Sequence, residues 1–524
     1  MTDTTIKQLA TIFPIDTEAL KPDLKFRRRR SIIRDFSLNT STHGVPGIAR
    51  SQSIHNRIFW IVSTLAFTGI MLFFVVESIK QYFNFPTQTS VSFIVERSQA
   101  FPAVSICNYS PFRLDNFIEP FLNFTNSRNL TNTTDTSTIP IEAAPYLFDF
   151  IQNLLNYDEY LSNYFFPLSS MLISCLYNGE RCQATDFIQF FSFYFGHCYT
   201  FNAKMKLNDS SVRSTIDHGG IGKLELQLYA HSHQYVPYTS RDISVGMVAM
   251  IHDNTELPLI EVAGIQLDPG RKHKFGYKKR TYESLPSPYS DCTNEVSLAM
   301  QAMFNRYAGA DYAYSQVLCY MTCVQAYIYG QCGCISPFQW TARSIVLPGS
   351  DRIIEAPLCN TTNKCYANAQ VRITTTTSIW DQFCSNCSQP CSTVDFTITP
   401  SAVSAPSAVR IPEIKVFVEK SGIALPKNWT TTWQSEIQNN YVAVDVVCET
   451  NRVEAYTQDA SISSVDLLSN VGGHTGLWIG ISFLSIMELV EMLYRLIRYH
   501  YYILRGKIRR RNQEQSWLRQ SSVF

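Results

Sequence analysis

The chain has 524 residues, of which 45% are hydrophobic and only 17% are charged. Its 44 basic and 43 acidic side chains give a net charge of +1, which excludes the basic excess of a nucleic-acid-binding protein and the charge imbalance of an acidic disordered chain. The 15 cysteines are too many for a typical cytosolic enzyme and indicate an oxidising compartment, and their odd number leaves one thiol free or paired between chains.

Two segments are predicted to span a membrane. The first, residues 58–79, begins with the uncharged run IFWIVSTLAFTGIMLFFVV, and about 20 apolar residues are enough to cross a bilayer. It starts too far from Met1 to be a signal peptide, and it lacks a small-residue cleavage site. The second, residues 467–497, contains four glycines and two glutamates, so a buried core helix is the alternative interpretation.

Basic residues flank both predicted spans on the sides that face the chain ends. They are Lys25, Arg27, Arg28, Arg29, Arg30, Arg34, Arg50 and Arg57 before the first span, and Arg495, Arg498, Arg505, Lys507, Arg509, Arg510 and Arg511 around the end of the second. The positive-inside rule therefore predicts that residues 1–57 and 498–524 are cytoplasmic and that residues 80–466 are extracellular. The arginine run at 27–30 is expected to contact membrane lipid rather than to direct nuclear import.

The segment 80–466 has two further features of an extracellular domain. All cysteines lie within it, from Cys107 to Cys448. It also carries candidate glycosylation sequons at Asn108, Asn123, Asn129, Asn132, Asn208, Asn360, Asn386 and Asn428. Asn39 fits the same pattern, but it is predicted to be cytoplasmic and unmodified.

Hydrophobic periodicity within this segment predicts a mixture of helices and strands. Helical spacing is found at 146–166, at 187–195, within 415–438 and at 319–334, where Gly330 is expected to break the helix. Strands are predicted at 224–228, 243–251, 371–379, 411–418 and 441–447. The fold class is therefore α+β, and the segment shows no internal repeat.

Few motifs in the chain are typical of an enzyme or a metal site. Cys332-Gly-Cys334 and Cys384-x-x-Cys387 resemble zinc ligands, but disulfides are favoured outside the cell. The sequence contains no P-loop, no GxGxxG and no Ser-His-Asp or Cys-His set in a recognisable nucleophile context. We therefore expect no enzymatic activity, no cofactor and no bound metal.

The second span carries residues that indicate an ion path. Gly480 and Ser482 are small residues in the middle of the span and form either a helix-packing seam or a break in the helix. Carbonyls freed at a break must line water, where they can replace the hydration shell of a cation. Glu488 and Glu491 follow, and acids within a span usually face water. Since two spans cannot enclose a pore, several subunits must assemble around an axis.

These residues belong to a set of motifs that resembles the degenerin/epithelial sodium channel superfamily, which includes acid-sensing and peptide-gated channels. The motifs are His43-Gly44, FPAVSICN from Phe101, SCLYNGERC from Ser174, GHCYTFN from Gly196, CYMTCVQAYIYGQCGC from Cys319 and LLSNVGGHTGLWIGIS from Leu467. The resemblance implies two transmembrane helices and a hand-like, disulfide-rich extracellular domain of palm, finger, thumb, knuckle and β-ball. It also implies assembly as a homotrimer.

The family's cysteine framework implies seven disulfides in this chain. The pairs are Cys107–Cys198, Cys175–Cys182, Cys292–Cys391, Cys319–Cys387, Cys323–Cys384, Cys332–Cys365 and Cys334–Cys359. Cys448 is left over, and five of the bridges are expected to stiffen the thumb.

The resemblance also assigns roles to residues near the membrane. It implies a selectivity filter at Gly480, Ile481 and Ser482, and ion-attracting or pore-lining positions at Asn470, Glu488 and Glu491. Gating positions are implied at Ser469, at Asn451 and Arg452 in a desensitisation linker, at His43 and Gly44 in a re-entrant loop, and at Phe85 and Tyr289 in an aromatic contact.

Three features depart from the acid-sensing members. Asn470 stands in place of an aspartate, and Ile481 replaces a small residue in the filter. The sequence YANAQVR after Cys365 lacks the thumb carboxylates of the acid-sensing pocket. Without close carboxylate pairs, pKa values near neutral pH are hard to generate, so proton gating through that pocket is not favoured.

The sequence therefore predicts an amiloride-sensitive, ligand-gated sodium channel of the plasma membrane. The favoured trigger is an extracellular FMRFamide-like neuropeptide, received by the aromatic residues Tyr146, Phe148, Phe150, Tyr157, Tyr160, Tyr164, Phe165 and Phe166. Asp149, Asp158 and Glu159 are candidate partners for the arginine of the peptide. Core packing is the simpler explanation for most of these aromatics. Proton gating, constitutive opening and a non-conducting two-span receptor or adhesion protein remain alternatives; an ATP-gated channel has a different cysteine spacing.

Overall fold

The computed structural model describes residues 22–157, 161–192, 194–206, 212–216, 222–239, 244–307, 309–347 and 352–520. The chain forms two compact units. The first unit combines the chain up to Thr87 with the chain from Ala460 onward, and the second is Gln88–Asp459.

The described helices are α1 (Pro22–Asn39), α2 (Val45–Arg50), α3 (Ile54–Phe83), α4 (Leu114–Ser127), α5 (Leu147–Tyr157), α6 (Leu168–Met171), α7 (Ile260–Ala263), α8 (Leu298–Phe304), α9 (Gln316–Cys332), α10 (Lys364–Thr375), α11 (Thr377–Cys384), α12 (Ile411–Lys420), α13 (Trp429–Asn440), α14 (Ser464–Ile479) and α15 (Phe483–Gln520). Short 3₁₀ turns cover Ile141–Tyr146, Leu161–Tyr164, Ala184–Asp186, Ser232–Gln234 and Pro337–Ala342.

The described strands are β1 (Thr87–Val95), β2 (Gln99–Ala100), β3 (Ala103–Asn108), β4 (Leu172–Tyr177), β5 (Glu180–Arg181), β6 (Phe187–Ser192), β7 (Gly196–Phe201), β8 (Ser214–Thr215), β9 (Lys223–Tyr229), β10 (Met247–His252), β11 (Ile265–Leu267), β12 (Arg271–Glu283), β13 (Ser344–Val346), β14 (Ile353–Glu355), β15 (Ser392–Ser404), β16 (Tyr441–Cys448) and β17 (Arg452–Ala460).

The first unit contains the apolar helices. Among the described residues, α3 is long and apolar enough to cross a membrane, and α14 with α15 meets the same test only as a pair bent by 70°. Aromatic rings join α3 to α14: Trp478 stacks on Phe67 and Phe74 at 6.0 Å, and Phe74 stacks on His474 at 5.1 Å. By length and composition, the described part of the chain therefore has one or two candidate spans.

The second unit is built on an eight-stranded sheet of order β1-β17-β12-β16-β9-β4-β5, with β15 also paired to β12. Its centre is β16, whose eight residues are all buried, and its neighbour β9 alternates buried and partly exposed side chains as KLELQLY predicts. A five-stranded sheet of order β11-β10-β3-β7-β6 packs into the same core. The predicted strand at 441–447 is therefore confirmed.

Seven disulfides cross-link the second unit, and they are the seven pairs that the family resemblance implies. Five of them lie in residues 292–391, which we call the disulfide lobe, and close loops whose ends are 25 to 99 residues apart in sequence. Such loops restrict the unfolded chain and thereby stabilise the fold. All 15 cysteines are described, and Cys448 is a buried free thiol.

Several predictions of secondary structure are wrong. Residues 187–195 contain strand β6 instead of a helix, because FIQFFS pairs in register with β7. Residues 371–379 are helical in α10 and α11 instead of extended. Their β-branched side chains favour a strand, but Asn363 caps α10 and disulfides at both ends of the segment hold it against α9.

The predicted strand at 411–418 is also wrong, since α12 covers it. Pro412 stands in the first turn, and Ile414 and Val418, four residues apart, bury one helical face. Helix α9 runs through Gly330 and ends at Gly333, so the expected break at Gly330 is absent from this described helix. The strand expected at 243–251 is β10, which begins at Met247, and Ile243 lies outside the described residues.

Candidate functional site

The second candidate span is interrupted at Gly480. This residue has φ +70° and ψ 22°, a left-handed conformation that glycine adopts without strain. Its N–H donates to the Gly476 carbonyl at 3.1 Å, and the N–H of Ile481 donates to the Thr475 carbonyl at 3.1 Å. These two bonds close the end of α14, so the chain leaves the helix at Gly480.

Two serine hydroxyls form hydrogen bonds at the break and at the N-terminus of the next helix. The Ser482 hydroxyl accepts a hydrogen bond from the Ser485 N–H at 3.4 Å, as an N-cap does. The Ser485 side chain is buried, accepts from the Ser482 N–H at 3.1 Å and donates to the Gly480 carbonyl at 3.3 Å. Ser485 is a site residue for which the sequence motifs offer no signal.

The His-Gly motif lies directly against this break. The N–H of His43 donates to the Ile479 carbonyl, the last of α14, at 2.8 Å. A Cβ added to Gly480 would lie 2.7 Å from the His43 ring, which leaves no room for a side chain there. Gly44 has φ +87° and faces Thr64 in the same way, so both glycines are required by close approach as well as by conformation.

Glu488 anchors the segment that precedes His43. Its Oε2 accepts from the Thr40 hydroxyl at 2.9 Å, from the Ser41 N–H at 2.9 Å and from the Ser41 hydroxyl at 3.3 Å. The Ser41 hydroxyl also meets the Ser485 hydroxyl at 2.6 Å. The acid that the resemblance places below the filter is thus a hydrogen-bond acceptor for the re-entrant segment. No sequence pattern identifies Thr40 and Ser41 as its partners.

The other predicted residues of the first unit surround this site. Glu491 pairs with Arg495 at 2.6 Å. Ser469 and Asn470 are exposed on α14, two to three turns before Gly480. The capping box of α14, formed by Ser463 and Asp466, fixes where that helix begins.

The predicted gating residues of the second unit lie at the start of β17. The carbonyl of Asn451 accepts from the Glu96 N–H at 3.0 Å, and the Arg452 guanidinium lies 4.3 Å from the centre of the Phe93 ring. Both contacts tie the predicted desensitisation linker to the end of β1. Phe85 belongs to the first unit and Tyr289 to the second, so their contact stays a prediction.

The aromatic residues predicted to receive a peptide divide into two groups. Phe150, Phe165 and Phe166 are buried in the core, as the simpler explanation holds, and Tyr146 and Tyr164 are half-buried. Phe148 is exposed and faces the exposed ring of Phe338 at 6.4 Å. The side chain of Tyr157 and all of Tyr160 lie outside the described residues.

One of the three candidate acids directly follows Phe148 in α5. Asp149 is half-buried, and its carboxylate accepts from the Thr361 hydroxyl at 3.5 Å. Asp158 and Glu159 lie outside the described residues. We call Phe148, Phe338 and Asp149 the aromatic notch; it consists of two exposed rings and the carboxyl-bearing residue that follows Phe148 in α5.

A carboxyl group that the sequence analysis missed is partly buried elsewhere in the second unit. Burial raises the pKa of Glu256 to about 7, and the nearby carboxylates of Asp253 and Asp395 raise it further toward that value. Helix α10, by contrast, contains no Asp or Glu in KCYANAQVRITT. The acids D and E in HDNTE, residues 252–256, are the only sequence signal of this group.

The predicted glycosylation sites differ in accessibility. Asn108 is buried, and its amide donates to the Ala230 carbonyl at 2.8 Å, so this sequon is closed in the folded chain and the candidate is wrong there. The exposed candidates are Asn123, Asn129, Asn132, Asn360, Asn386 and Asn428. Asn208 lies outside the described residues.

Comparison with known proteins identifies the family. A family model described as amiloride-sensitive sodium channel matches residues 36–492, which include the His-Gly motif, the disulfides and the break at Gly480. The chain belongs to this family. Its members are ion channels that need no cofactor, so the chain is a cation channel and not an enzyme.

Acid-sensing channels are among the similar proteins. Acid-sensing ion channel 1 of Gallus gallus is 25% identical over 498 residues, which cover 92% of this chain and 87% of the relative. Acid-sensing ion channel 2 of Homo sapiens is 25% identical over 498 residues, which cover 91% and 89%. A solved proton-activated chloride channel matches with a TM-score of 0.29 and 7% identity over 84% of this chain and 98% of its own, too low to inform the fold.

Proposed function

We propose that the chain forms a homotrimeric, ligand-gated sodium channel of the plasma membrane that amiloride blocks, with residues 80–466 outside the cell and both ends of the chain in the cytoplasm. The observation that carries the proposal is the break at Gly480–Ser482 between two apolar helices. A helix break at membrane depth is costly in lipid and is tolerated where protein groups satisfy it or where it lines a water-filled cavity, as it does in an ion filter.

The sodium path is tested by replacing Ser482, the N-cap of α15. We expect Ser482→Trp to abolish the current or its preference for sodium over potassium, because a bulky side chain fills the break. Leu484→Trp is the matched control, since Leu484 is two residues away and 74% exposed. Reversal potentials and surface labelling are measured together; full sodium selectivity in Ser482→Trp would move the filter elsewhere.

The trigger that we propose is an extracellular FMRFamide-like peptide that binds the aromatic notch. An amidated Arg-Phe end fits its chemistry, because the phenyl ring packs on Phe148 and Phe338 while the guanidinium pairs with Asp149. Burying one such ring contributes about 1.5–3 kcal/mol. Micromolar affinity needs about −8.2 kcal/mol, so the peptide backbone must supply the remainder.

The peptide proposal is tested by concentration–response curves on the full channel. We expect Phe148→Ala to raise the peptide concentration for half-maximal current at least tenfold, and Asp149→Asn to raise it for Arg-containing peptides only. Ile141→Ala is the control, since Ile141 is exposed in the preceding turn. A response unchanged in both notch variants would remove the notch from the binding site.

Proton gating is the second candidate, and a specific observation favours it. Glu256 has a pKa of about 7, and the relatives named above are acid-sensing channels. Acid to about pH 5 protonates such a carboxyl fully. A robust acid-evoked current that Glu256→Gln shifts or abolishes, without any response to peptide, would establish protons as the trigger.

A further inference from the structure

An ion pair joins α1 to the part of α15 below the break. One guanidinium nitrogen of Arg495 lies 3.1 Å from an Asp35 carboxylate oxygen, and the other lies 2.6 Å from Glu491. Asp35 is held in turn by the Asn39 amide, which donates to its second oxygen at 3.0 Å. Arg495 thus bridges a carboxylate on its own helix and one on α1, and we call this bridge the latch.

Apolar packing between α1 and α15 is incomplete beside the latch. A cavity of about 200 Å³ separates them; it is lined by Ile32, Asp35, Phe36, Asn39, Thr40, Glu488, Glu491, Met492 and Arg495. Because the space is not filled by side chains, the polar bridges at its rim carry more of the attachment than they would across a packed interface.

The latch lies on a short, continuously bonded route to the filter. Helix α1 ends at Asn39, four residues after Asp35, and Thr40 and Ser41 then bond to Glu488. His43 follows, bonds to the Ile479 carbonyl and faces Gly480. The Arg50 guanidinium donates to the Leu38 carbonyl at 2.9 Å and closes the segment from its other side. Asp35 and His43 are only eight residues apart, so a shift of α1 also displaces His43.

We propose that Arg495 is a positioning residue for sodium conduction: through Asp35 it fixes α1, and α1 fixes the His43–Gly44 segment against the break at Gly480. The inference rests on the proposed sodium path. Glu491 holds the other guanidinium nitrogen, so an acid to which the resemblance gives a pore role also helps to set the geometry of the latch. When the bond between Arg495 and Asp35 is lost, His43 is held less firmly against Gly480. The preference of the channel for sodium over potassium then falls.

The solvent exposure of the Arg495–Asp35 pair sets the size of the expected change in sodium selectivity. The Arg495 and Asp35 side chains are 48% and 56% exposed, and ion pairs at this exposure shift an equilibrium by about 1.4- to 5-fold. We expect Arg495→Gln and Asp35→Asn each to lower the sodium-to-potassium permeability ratio by such a factor. The concentration of trigger for half-maximal current is expected to stay unchanged, because the latch touches the ion path and not the trigger site.

The test uses the full channel, reversal potentials in sodium and in potassium, and surface labelling. Arg498→Gln is the matched control, because Arg498 lies one turn further along α15 with its guanidinium over the Tyr502 ring. The exchanged pair Asp35→Arg with Arg495→Asp is expected to recover at least half of the lost selectivity, which a merely structural role would not produce. Equal effects of Arg495→Gln and Arg498→Gln, or simple addition of the two single losses in the exchanged pair, would overturn the proposal.

A second measurement works without any current and so separates failure of the latch from failure of the proposed sodium path. Every cysteine lies between Cys107 and Cys448, so Thr42→Cys places a single new thiol beside His43. In permeabilised membranes, Arg495→Gln is expected to speed its labelling by a small thiol reagent by about 1.4- to 5-fold. An unchanged labelling rate would overturn the latch, whether or not the channel conducts.

Discussion

Each of the two units is stabilised internally by a different kind of interaction. The second unit has seven disulfides, two sheets and a core in which residues such as Tyr277 and Phe101 are fully buried. The first unit has long helices whose apolar side chains are largely exposed, Phe483 by 78% and Leu477 by 74%, and a few hydrogen bonds around one helix break. The second unit therefore encloses its apolar core, whereas the first leaves a large apolar surface uncovered.

This contrast predicts that the two units fail differently when they are mutated. Substitutions in the second unit are expected to act first on folding and surface expression. Substitutions in the first unit are expected to leave the second unit folded and to change conduction or gating.

Removal of a disulfide in the disulfide lobe should cause the largest loss of stability. The Cys323–Cys384 bridge closes 61 residues, and loss of a native bridge of this kind costs about 2–5 kcal/mol. We expect Cys323→Ala to reduce surface expression severely and to increase the rate of proteolysis. Cys448→Ala is the control, because Cys448 is a buried cysteine without a bridge, and this variant should lose much less surface expression. Equal losses of surface expression in Cys323→Ala and Cys448→Ala would show that the bridge contributes little to stability.

The pH dependence of stability should depend on Glu256. Its pKa is raised from 4.5 to about 7, so the stability contributed by the neutral carboxyl is fully present below about pH 4.5 and is lost as the pH rises through about 7. Each unit of pKa corresponds to about 1.4 kcal/mol.

We expect the Tm of the full chain in detergent to fall between pH 5 and pH 8, and Glu256→Gln to remove part of that fall. Glu413→Gln, whose side chain is 65% exposed, is the control and should behave as the parent. If the parent and Glu256→Gln lose the same number of degrees, the carboxyl is ionised throughout this range.

Gating should be sensitive to side-chain volume at Ser469. The resemblance implies that this position lies where the spans cross in the closed channel, and overpacking costs about 1–3 kcal/mol. We expect Ser469→Phe to hold the channel open, with a large current before any trigger is applied. Val465→Phe, one turn earlier and 69% exposed, is the control. Complete closure of Ser469→Phe would place this residue away from the crossing.

The sequence allowed some features to be predicted because they are local or belong to the family. The glycine at 480 indicates a helix break through its own conformational freedom, and the disulfide pairs follow from motif order once the family resemblance is recognised. The alternation in KLELQLY and the apolar run YVAVDVV also predict β9 and β16 directly.

Other features depend on contacts between residues that are far apart in sequence. Ser41 and Ser485 are 444 positions apart, and Asp35 and Arg495 are 460 apart, so periodicity gives no sign of either contact. The strand at β6 and the helix at α12 were predicted incorrectly because short apolar runs fit both periods, and partners decide between them. The burial of the Asn108 sequon also depends on a distant partner, because the Asn108 amide donates to the Ala230 carbonyl.

The central claim is that the chain selects sodium at the break in its second span. The most direct measurement compares the sodium-to-potassium permeability ratio of Gly480→Ala with that of Gly476→Ala, one turn earlier. A Cβ at 476 meets no atom within 4 Å among the described residues, whereas one at 480 meets the His43 ring and is strained in the left-handed conformation that this position has. We predict that Gly480→Ala loses sodium selectivity or current while Gly476→Ala keeps both. A Gly480→Ala channel with the parent's current and selectivity would contradict the claim.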